Sequence, residues 1–158
     1  MSKAVFSGTF DPITLGHVDI IRRGAQLFDE LYVGILDNPA KSFFFTHEER
    51  FRIAQEAVAD IPNVRVFLHT GSMVEFLRTH DVYTILRGLR GSTDLEYEKQ
   101  MAEINQMLEP RCETVSLPAR PELASISSSA VKEVASIGES IKRLVPECVI
   151  RYWNEKQG

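Results

Sequence analysis

Ala4-Val5-Phe6-Ser7-Gly8-Thr9-Phe10-Asp11-Pro12-Ile13-Thr14-Leu15-Gly16-His17 is the stretch of this chain that decides its fold. The run Ala4–Ser7 is short, mostly apolar and β-compatible, and Val18, Ile21, Ala25 and Phe28 follow it at helical spacing. Strand, loop and helix therefore succeed one another within thirty residues. In the loop, Gly8 permits a tight turn and close approach of a ligand. Pro12 stiffens it, and Gly16 removes a side chain beside the helix. His17 falls in the first helical turn, where free backbone N–H groups and the helix dipole favour an anion. Thr9 can offer a hydroxyl to the same anion. A simple turn requires neither Thr9 nor His17. The segment lacks both GxGxxG and the P-loop pattern, so conventional dinucleotide and Walker-type readings have no support.

Outward from this segment the alternation continues. Leu31–Leu36, Val64–Leu68, Tyr83–Leu86 and Thr114–Leu117 read as further strands. Thr46-His47-Glu48-Glu49 has the form of a capping box and opens a helix with Phe51, Ala54, Ala57 and Val58 as its apolar stripe. A short helix is predicted around Val74–Thr79 and a long one from about Thr93 to Leu108. Two more fall near Ser127–Ser136 and Pro146–Glu155, with Gly138 as the break between them. This pattern predicts one α/β, Rossmann-like, doubly wound domain over residues 1–158. It would have a parallel sheet of about five strands and a C-terminal helical segment. Ligands of such sheets bind beyond the carboxyl ends of the strands.

Composition narrows the function classes. Of 158 residues, 44% are hydrophobic and 25% charged, as in globular proteins, and the formal net charge is −4. No basic run or stripe suggests a nucleic-acid surface, although a local anion pocket remains open. No apolar run approaches the ~20 residues of a membrane span. The N-terminus does not have the form of a signal peptide, so a cytoplasmic location is expected. Cys112 and Cys148 stand alone. His17, His47, His69 and His80 fit no zinc-binding spacing, so no metal held by protein side chains is expected.

Polar residues recur at the other predicted strand ends. Lys41 lies in the loop Asp37-Asn38-Pro39-Ala40-Lys41-Ser42. Arg87-Gly88-Leu89-Arg90-Gly91 interleaves two arginines with glycines, which suits bidentate phosphate binding in a loop. On the long helix, Glu98, Met101, Ala102 and Asn105 share one face, so two polar residues interrupt an apolar stripe. Hydrogen bonding to a neighbouring helix accounts for Asn105, and an acceptor for a ribose hydroxyl is one role for Glu98. Ser127-Ser128-Ser129 precede a helix that needs only one cap, so the three hydroxyls read as an anion cradle.

Together, these blocks resemble the bacterial phosphopantetheine adenylyltransferases, within the nucleotidyltransferase superfamily that carries a Thr/His-x-Gly-His motif, here Thr14-Leu15-Gly16-His17. The similarity spans nearly the whole chain. It includes Asn38-Pro39-Ala40-Lys41 with Glu49-Arg50, and Arg87-Gly88-Leu89-Arg90 with Asp94, Glu96 and Glu98. It also includes the stretch around Met73, and Ile126–Ser129 with Val131-Lys132-Glu133.

The resemblance implies adenylyl transfer from MgATP to 4′-phosphopantetheine, giving dephospho-coenzyme A and pyrophosphate. It implies that His17 stabilises the transition state, together with Thr9, Lys41 and Arg90. Thr9, Phe10, His17, Gly88, Leu89, Arg90, Glu98 and Leu123, Ala124, Ser125, Ile126, Ser127, Ser128, Ser129 would hold ATP. Thr9, Lys41, Met73 and Arg87 would hold phosphopantetheine. Mg²⁺ would arrive with ATP, coenzyme A is a candidate feedback ligand, and a homohexamer is implied. Other members of the superfamily, such as nicotinamide mononucleotide adenylyltransferases and cytidylyltransferases, are the alternatives, as is a non-catalytic nucleotide or coenzyme A binder. Two residue patterns depart from the family. Leu123-Ala124-Ser125 replaces an aromatic-Ser-Phe stretch, and Ser7 replaces a frequent proline, a change expected to affect only the turn.

Overall fold

The computed structural model describes residues 1–158. Strand β1 (Lys3–Gly8) leads into helix α1 (Leu15–Leu27). Then follow β2 (Glu30–Leu36), α2 (His47–Ala57), β3 (Val64–His69), α3 (Met73–His80), β4 (Thr84–Leu89), α4 (Ser92–Leu108) and β5 (Glu113–Pro118). Helices α5 (Ser128–Ser136) and α6 (Glu147–Gln157) complete the chain. All five strands are parallel, in the order β3-β2-β1-β4-β5. This is the expected Rossmann-like α/β domain. No helix is long and apolar enough to cross a membrane.

Side chains alternate across the sheet. Along β1, Ala4 and Phe6 enter a cluster of 22 buried residues shared with α1, α2, α5 and α6. Val5 enters a cluster of seven on the other face, beneath α3. The two faces are covered unequally, because α4 has no buried residue. Helix α6 is anchored by Trp153, which stacks on Phe44 with ring centroids 4.0 Å apart, and by ion pairs Arg151–Glu56 and Lys156–Glu49.

The starts of α1, α2 and α3 carry reciprocal capping boxes at Thr14, Thr46 and Ser72. Phe28, read as the last member of the first helical stripe, is instead the C-cap of α1. The direction of strand succession reverses at β1. There β1 pairs with β4 through one register pair, Val5↔Ile85, against six pairs with β2. The two strands splay and leave a crevice at the topological switch point, where such sheets bind ligands.

Two local expectations are corrected. Arg87 and Gly88 do not lie in a glycine-rich loop. β5 pairs with β4 residue by residue as far as Leu89↔Pro118, so the strand extends through both. At Gly88 a Cβ would meet the Ile20 side chain at 3.1 Å, which makes helix packing the reason for this glycine. The left-handed residue after β1 is Phe10 (φ 48°), not Gly8. Its buried ring packs edge-on to Phe6 and His17, which offsets the backbone strain.

Candidate active site

The crevice encloses about 520 Å³. Thirteen of the residues given a substrate-binding or catalytic role from sequence line it: Thr9, Phe10, His17, Lys41, Arg87, Gly88, Arg90, Glu98, Leu123, Ile126, Ser127, Ser128 and Ser129. Leu89, Ala124 and Ser125 are not on its wall. Met73 lies in a second cavity of about 210 Å³, which shares Ser7, Arg87, Tyr97 and Glu98 with the first. Asn105, expected to bond to a neighbouring helix, lines this second cavity instead.

His17 is held by the capping box that starts α1. Its Nδ1 lies 3.0 Å from the Thr14 backbone N–H and accepts from it. An acceptor nitrogen carries no proton, so the neutral ring bears its proton on Nε2. Burial, then the positive charges of Arg90 and Arg87, push the His17 pKa down to about 4. At neutral pH the site thus contains an uncharged N–H donor oriented by the backbone.

Both strand-end arginines are paired with carboxylates one helical turn apart on α4. Arg87 Nε and Nη2 donate to the two oxygens of Glu98, each at 2.9 Å, while its Nη1 donates to the Ser7 carbonyl at 3.0 Å. Arg90 donates to Asp94 from its backbone N–H at 3.0 Å and its Nε at 3.3 Å. Ser7 therefore does more than shape a turn. Its carbonyl positions Arg87, and its hydroxyl donates to Met73 Sδ at 3.0 Å. Lys41 is exposed on its loop and has no ion-pair partner.

The triple serine divides its tasks. Ser127 caps α5 by accepting from the Ala130 N–H at 3.1 Å. The Ser128 hydroxyl donates to the Pro12 carbonyl at 2.7 Å. Only Ser128 has its hydroxyl proton committed, so the cradle comprises the Ser127 and Ser129 hydroxyls with the helix N-terminus rather than three hydroxyls. No group of three or more His, Cys, Asp or Glu side chains is arranged to hold a metal.

The cytidylyltransferase-like family model matches residues 5–134, which span the β1 loop, both arginines and the triple serine. The chain belongs to the cytidylyltransferase-like family. Membership supports nucleotidyl transfer as the chemistry of the crevice.

A clasp beneath the cytidylyltransferase-like crevice went unassigned in the sequence. Arg50 is 1% exposed and donates to the carbonyls of Phe45 (3.2 Å), Thr9 (2.9 Å) and Leu36 (2.8 Å), and to Asp37 (3.2 Å). Phe43 covers the guanidinium, 4.0 Å from ring centroid to Cζ. Asp11 is 2% exposed and accepts the Phe44 and Phe45 N–H groups, each at 2.8 Å, and the Lys132 ammonium at 3.3 Å. Arg50 and Asp11 thus grip the same Phe43–Phe45 segment by its carbonyl and amide sides. This fixes the Thr9 loop and the base of the Lys41 loop relative to α5. Arg50 and Lys132 stood within the matching blocks. Their role was hidden because it depends in part on partners 41 and 121 residues away.

Proposed function

We propose that this protein transfers the adenylyl group of ATP to 4′-phosphopantetheine, forming dephospho-coenzyme A and pyrophosphate in coenzyme A biosynthesis in the cytoplasm. The observation that carries the reading is one crevice that gathers His17, Lys41, Arg87, Arg90 and Ser129, with a second cavity that shares Arg87 with it. In this reading His17, Arg90, Ser129 and the α5 N-terminus hold the triphosphate, and Arg87 and Lys41 hold the acceptor's phosphate. Beyond Arg87, the cavity at Met73 suits the uncharged tail of the acceptor. Phe10, Gly88, Glu98, Leu123 and the Ile126–Ser129 segment are assigned to the nucleotide, and Thr9 to both substrates.

The acceptor's phosphate has its second ionisation near pKa ~6 and is already a nucleophile at neutral pH. It attacks the α-phosphate in line, and the bond to pyrophosphate breaks without a covalent enzyme intermediate. Mg²⁺ enters with ATP as part of the substrate and screens the triphosphate charge. The protein supplies alignment and charge stabilisation. Arg87 and Lys41 restrain the acceptor phosphate. The neutral His17 Nε2–H donates to the phosphate oxygens as charge develops there. Because the ring is neutral, this donor needs no proton supplied by the medium.

Assembly as a homohexamer belongs to the same proposal. An exposed apolar face on α4 offers it a contact surface: Tyr97, Ile104 and Leu108 fall at intervals of seven and four residues beside an exposed Met107. Coenzyme A contains both halves of the proposed product and would compete at the same crevice as a feedback ligand.

The test is incubation of the protein with MgATP and 4′-phosphopantetheine, with dephospho-coenzyme A detected by mass and pyrophosphate counted. Reaction with nicotinamide mononucleotide, or with CTP and a phosphorylated alcohol, in place of this pair would reassign the substrates. Tight ATP binding without turnover of any acceptor would leave a nucleotide-binding protein that is not an enzyme.

A further inference from the structure

Ser7 is 5% exposed near the end of β1, and its side chain points to the α3 face of the sheet, as that of Val5 does two residues earlier. Its surroundings there are tight. A Cβ on Gly34 of β2 would meet the Ser7 Cβ at 3.6 Å and the Phe76 ring at 3.5 Å. A buried hydroxyl requires a partner, and the one it has is Met73 Sδ at 3.0 Å. The backbone of Met73 needs no such help. It opens α3 behind a reciprocal capping box, in which the Glu75 N–H donates to Ser72 Oγ (3.1 Å) and the Ser72 N–H donates to the Glu75 carboxylate (3.2 Å). The side chain is a different matter, because methionine has three rotatable bonds and fills whatever irregular gap is open to it. The gap beside it is the second cavity of about 210 Å³, which Ser7 and Met73 both line. An untethered thioether would fold into that space.

We infer that Ser7 is a positioning residue for the acceptor: by donating to Met73 Sδ, its hydroxyl holds the thioether against the wall of the second cavity and keeps that cavity open for the acceptor's uncharged tail. The inference rests on the proposed function, which assigns the tail to this cavity. Ser7 performs two separable tasks. Its carbonyl accepts from Arg87 Nη1 at 3.0 Å and orients the cation, whereas its hydroxyl acts only on Met73. Alanine retains the first task and abolishes the second. Proline, frequent at this position in the family that the sequence resembles, has no hydroxyl either, so the tether depends on this chain's own departure at Ser7.

The experiment compares wild type with Ser7→Ala by steady-state kinetics, with 4′-phosphopantetheine and MgATP varied in turn, and by NMR of protein carrying isotope-labelled methionine methyl groups. The chain has four methionines, so the Met73 methyl is assigned by its loss in Met73→Leu. The KM for 4′-phosphopantetheine should rise about three- to tenfold in Ser7→Ala, the effect of losing one neutral hydrogen bond. The KM for ATP and the kcat at saturating acceptor should stay near wild type, because the Ser7 carbonyl still orients Arg87. A hydroxyl that served only the stability of the fold would not divide the two substrates in this way. Methyl relaxation should report a rigid Met73 thioether in wild type and a mobile one in the variant, with rigidity restored by saturating acceptor. An unchanged acceptor KM, an equal rise for ATP, or a Met73 methyl equally mobile in both proteins overturns the inference. A wild type that turns over no 4′-phosphopantetheine means instead that the proposed function has failed, and relaxation of the free proteins then decides alone whether the hydroxyl holds Met73.

Discussion

Acidification offers a direct test of His17, since its native environment disfavours the imidazolium. The native ring has a pKa of about 4, lowered first by burial and then by Arg90 and Arg87, against an ordinary 6.5 in the unfolded chain. Between these values the unfolded state binds a proton that the native state refuses, so stability must fall as pH falls through that window. From about pH 8 to about pH 5 the unfolded ring becomes almost fully protonated and the native ring stays mostly neutral, a cost of about 2 kcal/mol by linkage. The comparator is His17→Gln, because glutamine can accept from the Thr14 N–H in the same capping box but cannot titrate. Urea unfolding of both proteins at the two pH values provides the measurement. Contributions from His80, whose pKa burial also lowers, and from the carboxylates are common to both proteins and cancel in the difference. Wild type should lose about 2 kcal/mol more than the variant. Parallel losses would refute the reasoning, as would nitrogen-detected NMR showing the proton on Nδ1 of the native ring.

Three further outcomes follow from the geometry. His17→Ala should fold normally and lose about 10²–10³ in kcat, the usual effect of removing one transition-state donor; near-normal turnover would remove His17 from the mechanism. Arg50→Met should cost about 3–5 kcal/mol in urea unfolding, because it strands Asp37 and three backbone carbonyls around a buried site; a loss under about 1 kcal/mol would show that these groups find other partners. Lys41→Ala should raise the KM for the phosphorylated acceptor and leave ATP affinity nearly unchanged, which steady-state kinetics with each substrate varied will show. An equal loss for both substrates would contradict the division of the crevice.

The local elements were legible because their causes are local. Thr46 and Glu49 cap each other across three residues, and the boxed start of α2 appears where that spacing predicts. The five strands are short apolar runs whose positions need no knowledge of their neighbours. Site residues were legible for a related reason: in a parallel sheet the strand ends lie on one rim, so cations at the ends of different strands must face a common crevice. The errors arose where a distant partner decides. Gly88 suggested a flexible loop, but β5 extends the strand through it and Ile20 requires the missing side chain. Ser127, Ser128 and Ser129 formed one polar run, yet the Pro12 carbonyl claims the middle hydroxyl.

From its own order of residues, then, this chain determined the alternation of strands and helices, the caps that start them, and the gathering of His17, Lys41, Arg87 and Arg90 at one edge. The fold alone decided how those groups are charged and paired. The proton on His17 Nε2, the Glu98 carboxylate on Arg87, and the burial of Arg50 and Asp11 beneath the crevice all depend on distances between segments remote in sequence. Hydrogen bonding and desolvation act over a few ångströms of space, and a linear sequence does not record which segments come that close.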